Sequence, residues 1–244
     1  MHSSANPSSA KDKIIVALDL PDEASALRTV EQLTGEVGLF KVGLQLFTAC
    51  GPSIVRQIRA LGGGVFLDLK FHDIPNTVRH AVESAMALDV QMLTVHAGGG
   101  REMLEAAATG AAGSSCFVLG VTVLTSSNER TLSEMGVQRS VPDQVAALGK
   151  IAAESGLSGL VASAHEIGLL RGCIPSGMKL VIPGIRPAGA DVQDQKRVMT
   201  PLEAVTAGAD YLVIGRPILG AENPVNAARE IAASLSVEES NKNQ

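Results

Sequence analysis

Cysteine is scarce in this chain: 244 residues carry only Cys50, Cys116 and Cys173. They are odd in number, far apart and in no Cys-x-x-Cys pair, so a disulfide framework is excluded and reduced thiols packed as small core residues are expected. Excess basic charge is also missing. A net charge of −5 argues against nucleic acid as a partner, which a protein ordinarily meets with a basic face. No apolar run reaches about 18 residues, so no membrane span is expected. The opening Ser-, Ala- and Asn-rich stretch lacks both the basic start and the apolar centre of a signal peptide. Residues 1–12 therefore read as a disordered leader, 237–244 as a frayed polar tail, and the protein as cytoplasmic. No Gly-x-Gly-x-x-Gly follows the first apolar run, where a dinucleotide fold wants one. The glycines at 98–100 come after the fourth run and are weak evidence for a nucleotide. No low-complexity linker divides the chain, which leaves one domain over 13–236.

What is present is a regular alternation. Short β-rich runs occupy 14–18, 39–42, 65–69, 92–96, 117–122, 159–162, 180–182 and 211–214. They are apolar with little alternation, as parallel strands covered by helices are. Amphipathic stretches lie between them at 22–33, 77–88, 101–111, 142–154 and 224–235. Eight strands, each followed by a helix or room for one, predict an α/β fold built as a single (β/α)8 barrel. A doubly wound open sheet competes, because periodicity cannot show closure.

Barrel enzymes carry their chemistry where strands end. The polar residues at those ends are Asp19, Lys41, Asp68, Lys70, His96, Thr125, Arg186 and Arg216. The run from Asp68 to Thr77 is the densest of these segments. Alternation puts Asp68 and Lys70 on one face, which in a closed barrel points inward, where a lone charge is costly. Asp73 follows just beyond, so two carboxylates flank one ammonium in a site able to handle a proton. A lysine so placed keeps its proton, which suits a general acid and not a Schiff-base nucleophile. His72 and His96 are weaker candidates, and His72 reads as structural or hydrogen-bonding. No third carboxylate and no His/Cys cluster joins the group at a metal-ligand spacing, so no metal is expected. The other side of the rim suits an anion. Gly184, Arg186, Gly215 and Arg216 end the last two strands, a common phosphate position in barrels: glycine lets the backbone approach, and arginine offers a planar fork.

The run from Asp68 to Thr77, Pro183 to Pro187, Asp194 to Arg197 and Tyr211 to Pro217 together resemble orotidine 5′-phosphate decarboxylase, in order from Ile14 to about Leu235. The resemblance implies decarboxylation of orotidine 5′-monophosphate to uridine 5′-monophosphate, the last step of de novo UMP biosynthesis, with no metal or organic cofactor. It makes Lys70 the proton donor to C6, sets Asp68 beside the substrate carboxylate, and completes the charged chain with Lys41 and Asp73. It implies a homodimer in which Asp73 reaches the neighbouring subunit's site. Asp19 and Lys41 would hold the ribose, Thr125 the base, and Gln195 both base and phosphate. Arg186, Gly215 and Arg216 would hold the phosphate, and Ile74 and Thr77 join the substrate-binding set. The loop 187–197 would be a closing flap.

Two other readings remain at this point. One is a metal-dependent sugar-phosphate decarboxylase or hexulose-phosphate synthase on the same barrel. Those relatives place a glutamate at the second strand end to help bind magnesium, where this chain has Lys41. The other is a silent phosphate-binding barrel, which would have no use for the cost of burying Asp68 and Lys70.

Overall fold

In the computed structural model, which describes residues 9–187 and 199–236, the apolar runs form eight parallel strands. These are β1 (Ile14–Ala17), β2 (Leu39–Gly43), β3 (Val65–Phe71), β4 (Met92–His96), β5 (Phe117–Val121), β6 (Gly159–Val161), β7 (Lys179–Pro183) and β8 (Tyr211–Ile214). Each pairs with the next, and β8 returns to β1 through Ile14↔Leu212 and Val16↔Ile214. The sheet is therefore a closed (β/α)8 barrel, and the open-sheet alternative is gone.

Successive residues of a strand face opposite ways, so each strand serves two cores. Ile15, Leu39, Phe66, Met92, Leu119, Val181 and Tyr211 fill the barrel interior. Ile14, Val16, Phe40, Val42, Leu67, Leu93 and Leu212 pack outward against the helices. The interior is thus plugged with side chains below the rim, and a ligand can enter only at the strands' C-terminal ends.

The amphipathic stretches became helices with bounds set by caps. Asp22 accepts from the Ser25 N–H and starts the helix Glu23–Leu33. Pro75 starts the helix Pro75–Met86 in the first turn, where a missing N–H costs nothing, two residues earlier than periodicity predicts. Helices Leu44–Cys50, Ser53–Ala60, Glu129–Glu134, Ile167–Arg171, Pro201–Ala207 and Arg216–Leu219 fill other connections.

At the N-terminal end, residues 9–12 depart from the expected leader. Ala10–Lys13 is a short 3-10 helix under the barrel, held by Ser9 donating from its N–H and its hydroxyl to the Asp12 carboxylate. Its backbone lies so close to Gly38 that any Cβ there would collide with the Asp12 carbonyl. Residues 1–8 and the tail 237–244 lie outside the described residues. Among the described residues, no helix is long and apolar enough to cross a membrane.

Candidate active site

β1, β2 and β3 each have a charged residue at or near the C-terminal end, and closure of the barrel sets these side by side. Asp19 stands just beyond β1, Lys41 on β2, Asp68 and Lys70 on β3. Lys41 Nζ donates to Asp19 Oδ1 at 3.0 Å and lies 3.7 Å from Asp68 Oδ2. Lys70 Nζ donates to Asp68 Oδ1 at 2.8 Å. The four form a chain of alternating sign. Its inner members are secluded, Lys41 with 12% and Asp68 with 13% of the side chain exposed, while Asp19 opens to solvent at 61%. Seclusion lowers the local dielectric, so each contact is stronger than it would be in water.

Two residues outside the sequence-derived set make this array possible. A Cβ at Gly43 would lie 3.0 Å from Lys41 Nζ and 3.7 Å from Asp19 Oδ1, so glycine at the end of β2 leaves room for that pair. Thr94 on β4 is fully buried, and its hydroxyl donates to Asp68 Oδ1 at 2.9 Å. The sequence marks neither: Gly43 falls just past the second apolar run and Thr94 within the fourth.

The shared face of Asp68 and Lys70 holds, but not through regular alternation. Leu67 pairs with Leu93 and Phe71 with Val95, so β3 takes four steps where β4 takes two. Lys70 has φ of +50°, a left-handed conformation uncommon for a residue with a Cβ and found most often where function demands it.

These charges open into a cavity of about 320 Å³ over the barrel mouth, large enough for a small molecule. Its walls include Asp19, Lys41, Asp68 and Lys70 on one side, and Gly184, Arg186, Gly215 and Arg216 on the other. Thr125, on the loop after β5, and the apolar Val123, Leu124 and Val161 lie between. A Cβ at Gly215 would meet only Ala17, at an ordinary 3.5 Å. Packing within the protein does not require glycine there, but the backbone, with φ of −110° and ψ of −96°, lies outside the regions a residue with a Cβ ordinarily adopts. The Arg186 N–H donates to the Met199 carbonyl. Gln195 and the stretch 188–198 lie outside the described residues.

Asp73, Ile74 and Thr77 are not in this cavity. All three are exposed, Ile74 at 67%, on the turn leaving β3 and the first turn of the next helix. Asp73 Oδ1 accepts from the Ile74 N–H, so among the described residues the charged chain ends at Lys70 and does not reach Asp73. His72 and His96 stack with ring centroids 5.3 Å apart. Burial, then the neighbouring His72 and Lys70, holds His96 below its ordinary value of 6.5. Its Nδ1 has no hydrogen-bond partner among the described residues. Among the described residues, no group of three or more His, Cys, Asp or Glu side chains is arranged to hold a metal ion.

Fold and rim together define a (β/α)8-barrel enzyme with a secluded carboxylate–ammonium array facing an arginine–glycine wall. A sequence model of the orotidine 5′-phosphate decarboxylase / HUMPS family matches residues 12–231, and the chain belongs to that family. It is 51% identical to orotidine 5′-phosphate decarboxylase of Syntrophotalea carbinolica, over 93% of this chain and 96% of the other. Identity to the enzyme of that name from Moorella thermoacetica is 50%, over 93% and 94%. The crystal structure of orotidine 5′-phosphate decarboxylase from Lactobacillus acidophilus superposes with a TM-score of 0.82 at 34% identity, covering 92% of this chain and 99% of that one.

Proposed function

We propose that this protein decarboxylates orotidine 5′-monophosphate to uridine 5′-monophosphate and carbon dioxide, without metal or organic cofactor. The observation that carries the reading is the placement of Lys70 Nζ 2.8 Å from Asp68 at the cavity wall. When the bond from C6 to the carboxylate breaks, its electron pair stays on C6 in an sp2 orbital with no carbonyl placed to delocalise it. A fixed ammonium stabilises such localised charge without reorganising, and Lys70 then gives its proton to C6. Asp68, beside the departing carboxylate, raises the energy of the bound substrate relative to the transition state.

Lys41 and Asp19 suit the ribose hydroxyls, Thr125 the base, and Arg186, Arg216 and the Gly215 backbone the phosphate, with Gln195 assigned to both base and phosphate. Binding energy at the phosphate, far from C6, can be used to favour the transition state. The magnesium-dependent reading is less favoured, because the Lys41 ammonium already occupies the space between Asp19 and Asp68. We assign Asp73, with Ile74 and Thr77, to the neighbouring subunit's site in a homodimer. Their exposure outside their own cavity supports this. The reading carries with it a cytoplasmic protein acting on a small molecule, with neither nucleic acid nor membrane as partner.

The test is an ultraviolet assay of orotidine 5′-monophosphate with purified protein before and after exhaustive chelation. Turnover unaffected by chelation is expected. Absence of turnover would overturn the reading, and turnover restored only by magnesium would move the chain to the other branch of its family.

A further inference from the structure

β3 leaves its ladder at the residues that bear the charges. Between Leu67↔Leu93 and Phe71↔Val95 it carries two more residues than β4, so the backbone around Lys70 has lost its regular partners. Lys70 stands in this bulge at φ +50°. A half-buried N–H with no acceptor is costly, and a left-handed lysine persists only when its surroundings hold it.

Thr94 lies opposite the bulge. Its Oγ1 accepts from the Lys70 backbone N–H at 2.9 Å and donates to Asp68 Oδ1 at 2.9 Å. The side chain is fully buried, between Leu93 and Val95 in a regular stretch of β4, so the hydroxyl has little freedom to turn elsewhere. One hydroxyl has one proton to give and lone pairs to receive, and here both functions are engaged. The proton goes to the carboxylate and a lone pair takes the lysine N–H. Together with the Lys70 Nζ–Asp68 Oδ1 contact of 2.8 Å, this closes a ring. It runs from Thr94 to Asp68, through the Lys70 ammonium, along the lysine side chain to its own N–H, and back to Thr94.

We infer that Thr94 is a positioning residue that sets the relative placement of Asp68 and Lys70 by satisfying the backbone of one and the carboxylate of the other. It is not among the residues lining the cavity, and its hydroxyl bonds to Lys70 and Asp68, on the side away from the arginines and glycines of the opposite wall. Its loss should therefore slow the chemical step and spare ligand binding. The inference rests on the decarboxylase reading for its kinetic form, and on the Lys70 geometry alone for its structural form.

The experiment compares the wild type with Thr94→Val, which keeps the shape and removes the hydroxyl, and Thr94→Ser, which keeps the hydroxyl. Sites are counted by calorimetric titration with uridine 5′-monophosphate, and kcat is expressed per titrated site. Removing hydrogen bonds to a charged group and its partner should lower kcat of Thr94→Val about 10- to 100-fold, with product affinity within about threefold and Thr94→Ser within about threefold of wild type in both. A valine variant with wild-type kcat, or a serine variant as slow as valine, overturns the inference. If the valine variant does not fold, Thr94→Cys replaces it, since a thiol is a weak donor and acceptor. It should then be at least about fivefold slower than serine, and equality with serine overturns the inference. Should the wild type itself not turn over the nucleotide, the decarboxylase reading has failed. The inference is then decided by crystal structures of the wild type and the variant. Lys70 should leave the left-handed region when the hydroxyl is lost, and an unchanged Lys70 backbone contradicts it.

Discussion

Lys70 brings together an unusual backbone and a partly buried ion pair, and its removal is the most informative single change. Lys70→Ala takes away the ammonium 2.8 Å from Asp68 and leaves the rest of the rim in place. Turnover should fall by the 10²–10⁴-fold typical of general acids, with the fold retained by circular dichroism. A variant keeping more than about a hundredth of the wild-type rate would remove Lys70 from that role. On the opposite wall, Arg216→Ala should raise KM for the phosphorylated substrate, since a charge-assisted contact is worth roughly 1.5–3 kcal/mol. Added guanidinium should restore part of the rate, and an unchanged kcat/KM would refute the phosphate assignment. Asp68, Lys70, Gly215 and Arg216 were legible in the sequence because charge at the end of an apolar strand needs a reason. Thr94 and Gly43 were not: Thr94 works through Asp68 and Lys70, distant in sequence, and Gly43 leaves room for Lys41 to meet Asp19, a pairing no local pattern reveals. The left-handed lysine was equally hidden, since Asp68-Leu69-Lys70 reads as unbroken alternation.

Elements show the same division. All eight strands could be read from the sequence within a residue or two, because parallel strands covered on both faces are apolar runs ended by charge or glycine. The helix Leu44–Cys50 was not, since it follows β2 with no polar break and is too short to display a period. Arg216–Leu219 has only four residues, about one turn, too few to show a helical period. β3 and β4 also carry an acid-sensitive contact. His96 is held below its ordinary 6.5 by burial and by His72 and Lys70. Above 6.5 it is neutral whether folded or unfolded. As pH falls below that value the unfolded chain takes up a proton that the folded chain refuses, so stability is lost down to the lowered folded value. Urea unfolding midpoints should therefore decline from pH 7 to 5 in the wild type and less steeply in His96→Gln. Equal slopes would show that the stacked pair has no part in acid sensitivity.

At the scale of the whole molecule, closure of the barrel turns residues from β1, β2, β3, β7 and β8 into one cavity. Asp73 stays outside it. It stands exposed on the turn between β3 and the helix that Pro75 opens, and the homodimer proposed above assigns it to the second copy's site. Subunit exchange between inactive Lys70→Ala and inactive Asp73→Ala chains should produce hybrids with one intact site and one doubly defective site. At equal mixing about half the dimers are hybrids, so activity should approach about a quarter of wild type. Confirmed exchange without activity would mean that Asp73 serves its own subunit.

The central claim is that carbon dioxide leaves C6 and a proton from an exchangeable ammonium replaces it. Incubating the protein with orotidine 5′-monophosphate in deuterium oxide, followed by proton NMR and mass spectrometry of the product, tests it most directly. Uridine 5′-monophosphate carrying one deuterium at C6, with release of one carbon dioxide per product, is the predicted result. Recovery of unchanged substrate, or a product that retains the carboxylate, would contradict the account.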